Sequence, residues 1–121
     1  MLIKHSLQVL TMAPALHSLI IRHRSDVEDI LEFLFHKHVG LRKLILHDCW
    51  LGEDDAGLLA NIVALCQDLE VFSLESCELT PASYGLIPHL KKLYELNVSH
   101  CEVYYVCTKL LETHVFKHKQ T

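Results

Sequence analysis

Glycine is scarce in this chain: there are four in 121 residues, and none is grouped with others to cradle a phosphate. There is also no Gly-x-Ser-x-Gly elbow and no His-Glu-x-x-His pair, so serine-hydrolase and zinc-hydrolase chemistry has no footing here. Positive charge is not in excess. Eleven Lys and Arg against fifteen Asp and Glu leave a formal charge of -4, which argues against general attraction to nucleic acid or an anionic membrane. The basic stretches Arg22-His23-Arg24 and Lys117-His118-Lys119 are short, and no aromatic platform interleaves with them. No apolar run approaches the length of a transmembrane helix. Lys4, the stretch 6–13 and Ala13-Pro14-Ala15 loosely imitate a secretory leader, but Gln8 and Thr11 break the apolar stretch.

Cysteine is present in an odd number, five, so a fully paired disulfide framework within one chain is excluded. The simplest expectation is reduced thiols in a cytosolic or nuclear setting. Half of the residues are hydrophobic, enough to build the core of one compact unit spanning residues 1–121.

The dominant signal is internal repetition. Leu41, Leu44, Leu46, Cys49 and Leu51 set a pattern that returns as Leu69, Phe72, Leu74, Cys77 and Leu79, and again as Leu93, Leu96, Val98, Cys101 and Val103. In each copy the first, fourth, sixth and eleventh places are apolar and the ninth is cysteine. A worn earlier copy starts at Leu16 and keeps Leu19 and Ile21, with Arg24 in place of the cysteine and Asp26 in place of the last apolar residue. Repeats therefore begin near residues 16, 41, 69 and 93. The alternation Leu44-x-Leu46 and Phe72-x-Leu74 predicts half-buried strands. The ninth-place cysteines are expected to turn inward as a ladder and to help satisfy backbone groups of the turn.

Helix-length segments separate the strands. Ser25-Asp26-Val27-Glu28 has the capping-box pattern, followed by Val27, Ile30, Leu31 and Leu34 on one helical face and Gly40 after its end. Leu58, Leu59, Ile62, Val63 and Cys66 form a second stripe behind the acidic run Glu53-Asp54-Asp55, read as a solvated helix start. Thr80-Pro81 predicts an N-cap with proline at the first helical position. Leu2 to Leu10 is expected to be a further helix ending near Pro14. Residues 104–121 are expected to form a helical C-terminal tail with Val106, Leu110 and Leu111 on one face. After Val103 the pattern departs from another full repeat, and the chain is expected to be a truncated or alternative product or a piece of a longer array. Parallel strands joined by helices predict an α/β fold, a right-handed solenoid.

The Leu-x-x-Leu-x-Leu-x-x-Cys-x-Leu units with long helical returns resemble the ribonuclease-inhibitor type of leucine-rich repeat, over roughly residues 16–103. The resemblance implies a horseshoe with strands on the concave face, helices on the convex face, and partners docking on the concave face or its rim. It also implies two settings in which such repeats occur, intracellular innate-immune receptors and ubiquitin-ligase substrate adaptors. The resemblance is specific for fold and unspecific for function.

Catalytic and metal readings weigh less. Cys101, Cys107, His114 and His118 have metal-ligand chemistry, but the Cys-to-Cys spacing is too wide and the Cys-to-His spacing too short for an ordinary zinc finger. His36 and His38 suit a helix C-terminus. Cys66 lies on an apolar stripe and reads as core. Cys107, outside the ladder, is the one candidate reactive thiol, and nothing in the spacing supplies it with a base. A redox- or metal-responsive protein using Cys107 and the tail histidines is the reading from a different class.

Counting alternately along the strands puts Ser18, Ile20 and Arg22, then Lys43, Ile45 and His47, then Val71, Ser73 and Glu75, then Glu95, Asn97 and Ser99 on the solvent face. Ile45 and Val71 are apolar there and are expected to be neighbours on adjacent strands. Trp50 follows a strand, placed either to anchor a contact or to cover the core edge. The expected function is protein binding by a non-catalytic scaffold or recognition module without cofactor, metal, small-molecule substrate, nucleic-acid or membrane partner. Arg22, Lys43, Ile45, His47, Trp50, Val71, Ser73, Glu75, Glu95 and Asn97 form the candidate surface. The alternative is a regulatory repeat segment detached from a larger receptor or adaptor of the two kinds above.

Overall fold

Alternation makes the strands. In Lys43–His47 the side chains of Leu44 and Leu46 fall on one face and are fully buried, while Lys43 on the other face is exposed and Ile45 and His47 are half-buried. The computed structural model describes residues 16–35, 40–98, 101 and 117–119. Along the chain these form β1 (Ser18–Arg22), α1 (Val27–Phe35), β2 (Lys43–His47), α2 (Asp55–Leu65) and β3 (Val71–Ser73). There follow α3 (Pro81–Leu86), a 3₁₀ turn (Ile87–His89), β4 (Glu95–Asn97) and β5 (Lys117–Lys119). The strands lie in sequence order in one sheet and every pair is parallel, with helices in the first three connections: a mixed α/β fold.

The register follows the repeat. Leu19, Leu44, Phe72 and Leu96 stand opposite one another across the four strands, and Ile21 faces Leu46. Bonding between repeats starts ahead of the strands, where the second-place N–H of each copy donates to the second-place carbonyl of the copy before. These are Arg42 to His17 at 2.8 Å, Glu70 to Arg42 at 2.8 Å and Tyr94 to Glu70 at 3.0 Å. The described first-, fourth-, sixth- and eleventh-place residues of the copies from 41, 69 and 93 are all buried in one hydrophobic cluster. Each such leucine contributes roughly 1.5–3 kcal/mol by leaving water.

A second regularity sits at the eighth place. His23, Asp48 and Ser76 have φ of 55°, 51° and 57°, the left-handed region. His and Asp tolerate that conformation better than most residues. It turns the chain inward, so that the next side chain points at the core. Cys49 and Cys77 are buried and Cys101 is half-buried, each donating its thiol to a carbonyl of the preceding repeat. In the worn repeat Arg24 and Asp26 pair with each other at 2.6 and 2.8 Å, which reconciles two charged residues with places that are otherwise apolar. The Arg24 guanidinium holds the Asp26 carboxyl below the usual carboxylate range.

Helix α1 buries Val27, Ile30, Leu31 and Leu34 on one face, as its spacing predicts. It opens at Val27, and the Asp26 carbonyl accepts from the Ile30 N–H at 3.2 Å. Helix α2 buries Leu58, Leu59 and Ile62, with Val63 half-buried and Cys66 buried just past its end. The Asp54 carboxylate caps it, accepting from the Gly57 N–H at 2.9 Å. Proline does stand at the start of α3, but the Thr80 side chain makes no capping bond to that helix. Its hydroxyl donates to Asp55 instead, at 3.1 Å. Tyr84 is the largest fully buried side chain and comes from α3, which carries no long apolar stripe to announce it.

Two expectations need correction. Residues 117–119 lie within the stretch expected to be a helical tail, but they form β5, paired in parallel with β4. Pairing occupies backbone groups along the β4 edge, a demand that local helical spacing does not register. Asp55, read as part of a solvated helix start, is 6% exposed. It accepts from the Thr80 N–H at 2.8 Å and from the Ser83 hydroxyl at 2.5 Å, so it ties the start of α2 to the start of α3. The expected helix Leu2 to Leu10, the remainder of the tail, and Val103 and Ser99 lie outside the described residues.

Candidate functional site

The face of the sheet opposite the core carries three rows of side chains, two residues apart along each strand. The first row is Ser18, Lys43, Val71 and Glu95, and the second is Ile20, Ile45, Ser73 and Asn97. The third begins with Arg22 opposite His47, and Glu75 extends it, its carboxylate meeting His47. Arg22 and Lys43 are exposed, and Ile45, His47, Val71, Glu75, Glu95 and Asn97 are half-buried.

Ser73 departs from expectation: it is only 6% exposed. It stands between Ile45 and Asn97, and with strands about 4.8 Å apart the larger neighbours shade so small a side chain. Ser73 therefore offers a partner little surface. Ile45 and Val71 are neighbours on adjacent strands, as expected, and the contact is diagonal. Val71 lies opposite Lys43, whereas the residues directly opposite Ile45 are Ile20 on β1 and Ser73 on β3. Ile20 is 48% exposed, a large apolar side chain left in water.

Arg22, Ile45, His47 and Glu75, all on the candidate surface, line one open hollow of about 340 Å³ together with His23. His23 follows the strand, so the alternation gives it no outward place and does not mark it as a candidate. The left-handed turn at His23 brings its ring to 5.4 Å from that of His47, edge to face at 80°. Nδ1 of His23 lies 2.9 Å from Asp48 Oδ2, and Nδ1 of His47 lies 3.2 Å from Glu75 Oε2. Each imidazole thus has its own carboxylate. Arg22 and Lys43 make no ion pair among the described residues.

Trp50 is 53% exposed and sits apart from this face, on the turn after β2. Hollows of about 390 and 420 Å³ flank it, and Glu78 lines both.

Burial disfavours the thiolate at Cys66, Cys77 and Cys101. Burial pushes Cys66 up to about 11 and Cys77 up to about 12. Burial also raises Cys101, against the opposing pull of neighbouring hydrogen bonds. All four described cysteines are unpaired. Cys107, His114, His36 and His38 lie outside the described residues, as does the side chain of His118. Among the described residues no helix is long and apolar enough to cross a membrane, and no group of three or more His, Cys, Asp or Glu side chains is arranged to hold a metal ion. Comparison with protein-family models, with curated proteins and with solved structures finds no match to this chain.

Proposed function

We propose that the chain is a leucine-rich-repeat unit of the ribonuclease-inhibitor type, a right-handed solenoid whose concave, strand-bearing face binds a protein partner without chemistry of its own. The observation that carries this reading is the convergence on one hollow of Arg22 from β1, Ile45 and His47 from β2 and Glu75 from just past β3, beside an Ile20–Ile45 pair of which Ile20 is exposed and Ile45 half-buried. An apolar pair surrounded by charged groups is the usual composition of a small recognition surface. The one-residue-per-repeat ladder of cysteines and the shared left-handed turn ahead of it support the solenoid. Unpaired cysteines support a reducing compartment, cytosolic or nuclear.

The test is affinity enrichment from cell lysate under reducing conditions. The baits are the chain and a variant carrying Ile20→Glu and Ile45→Glu, with circular dichroism confirming that both fold. Proteins held by the intact chain and lost by the variant support recognition on this face. Equal recovery removes the face from the reading and shifts attention to Trp50.

A further inference from the structure

Across β1 to β4 the charges on the candidate face are sorted by strand, and the register then sets Lys117 and Lys119 of β5 opposite Glu95 and Asn97. The outward positions of β1 and β2 are Ser18, Ile20, Arg22, Lys43, Ile45 and His47, with no carboxylate among them. The acidic side chains of the face, Glu75 and Glu95, belong to the β3–β4 side. A chain of formal charge -4 therefore presents a local basic and apolar patch. Arg22 and Lys43 are exposed cations with no ion-pair partner among the described residues, and the Ile20–Ile45 pair lies in the row between them.

The spacing has a consequence for the partner. Lys43 stands in the first row and Arg22 in the third, four residues along neighbouring strands, which is roughly 14 Å at about 3.3 Å per residue and 4.8 Å between strands. An extended peptide repeats its own facing side chains every second residue, so positions i and i+4 are roughly 13 Å apart with i+2 between them. Resting on the reading of this face as a docking surface, we infer that its occupant is an extended acidic segment of a partner protein, with carboxylates at i and i+4 meeting Lys43 and Arg22 and a large apolar side chain at i+2 on Ile20 and Ile45. The apolar middle row favours such a peptide over a nucleic-acid backbone, whose charges recur without an apolar side chain between them.

The experiment titrates the ¹⁵N-labelled full chain with blocked peptides and follows its amide correlation spectrum. The probe contains Glu-Ser-Leu-Ser-Glu, beside Lys-Ser-Leu-Ser-Lys, Glu-Ser-Ser-Ser-Glu and a short oligothymidylate. The first peptide is expected to shift amides of Ile20–Arg22 and Lys43–His47 with a millimolar midpoint, and the lysine peptide to leave them in place. Loss of the leucine is expected to weaken binding about tenfold or more. Arg22→Glu with Lys43→Glu is expected to weaken the first peptide by about fivefold per charge and to admit the lysine peptide. The same spectra show whether each variant is folded. Equal response to both charge classes, preference for the oligothymidylate, or no response to the first peptide at millimolar concentration overturns the assignment. If the Ile20→Glu, Ile45→Glu variant still loses its lysate partners in that case, the docking face stands and the partner class is wrong. If it loses none, the face itself is wrong.

Discussion

The thiol of Cys77 lies 3.5 Å from the carbonyl oxygen of Leu46, a residue 31 places earlier in the chain. Cys49 reaches Ile21 in the same way at 3.5 Å, and Cys101 reaches Leu74 at 2.7 Å. In every case the acceptor is the sixth-place residue of the preceding repeat, just ahead of the left-handed turns described at His23, Asp48 and Ser76. The ninth-place cysteine is thus a link between repeats, small enough to fit beneath the turn and able to donate weakly to a backbone carbonyl. Cys77→Ala is expected to cost about 1–2 kcal/mol, through the lost contact and the small void left behind, measured by urea unfolding under reducing conditions.

The same burial predicts pH dependence. The Cys77 thiol ionises near 12 in the folded chain against an ordinary value of 9.0, because burial disfavours the thiolate. A value raised on folding means that the stabilisation is fully present below pH 9 and is lost as pH rises from there toward 12. Cys66, near 11, acts in the same direction. Unfolding midpoints are therefore expected to fall through this alkaline window, and less steeply in Cys77→Ala. At pH 8 iodoacetamide is expected to label Cys66 and Cys77 only after denaturant is added, read by peptide mass spectrometry. Rapid labelling of Cys77 in the native chain contradicts the ladder.

Asp55 behaves in the opposite sense. Burial raises its carboxyl pKa, but hydrogen bonds from Ser83 and Thr80 outweigh that and hold it below the ordinary value. Its contribution is present above the unfolded value of about 3.9 and is lost as pH falls through the lower folded value. Asp55→Ala leaves the Thr80 and Ser83 donors without their acceptor and is expected to cost about 2–3 kcal/mol at neutral pH. Asp55→Asn is expected to flatten the decline of stability below about pH 4. Thermal melts from pH 2 to pH 7 separate the two effects.

Gly57 gives a prediction whose sign depends on its neighbour. Alanine is the better helix former by about 1 kcal/mol. A Cβ at Gly57, however, meets the Asp54 carboxylate oxygen at 2.3 Å, the same carboxylate that caps the helix. Gly57→Ala is expected to destabilise the chain by displacing a cap worth about 1 kcal/mol. In an Asp54→Ala background the same change is expected to stabilise it. A double-mutant cycle by chemical denaturation checks the reversal, and additive effects would refute the clash.

At Ser76, with φ of 57°, glycine is expected to be neutral or slightly stabilising and valine to cost about 1–3 kcal/mol, since a β-branched side chain resists the left-handed region. Calorimetric midpoints of the two variants decide it.

The periodic features were legible in the one-dimensional sequence because they are local. Leu44 and Leu46 alternate with a period of two, and Val27, Ile30, Leu31 and Leu34 recur at helical spacing, so which side chains turn toward a core follows from backbone geometry alone. The repeat then places like residues opposite one another, as with Leu44 and Phe72. What the sequence left open depends on neighbours in space. Ser73 alternates as an outward residue but is shaded by Ile45 and Asn97. Asp55 sits in an acidic run but meets donors 25 and 28 residues away. Ile20 finds Ile45, and His23 finds His47, only because a parallel neighbour arrives in that register. Periodicity is a property of one strand or helix, whereas exposure and pairing depend on the volumes and polar atoms that the next repeat brings within a few ångströms.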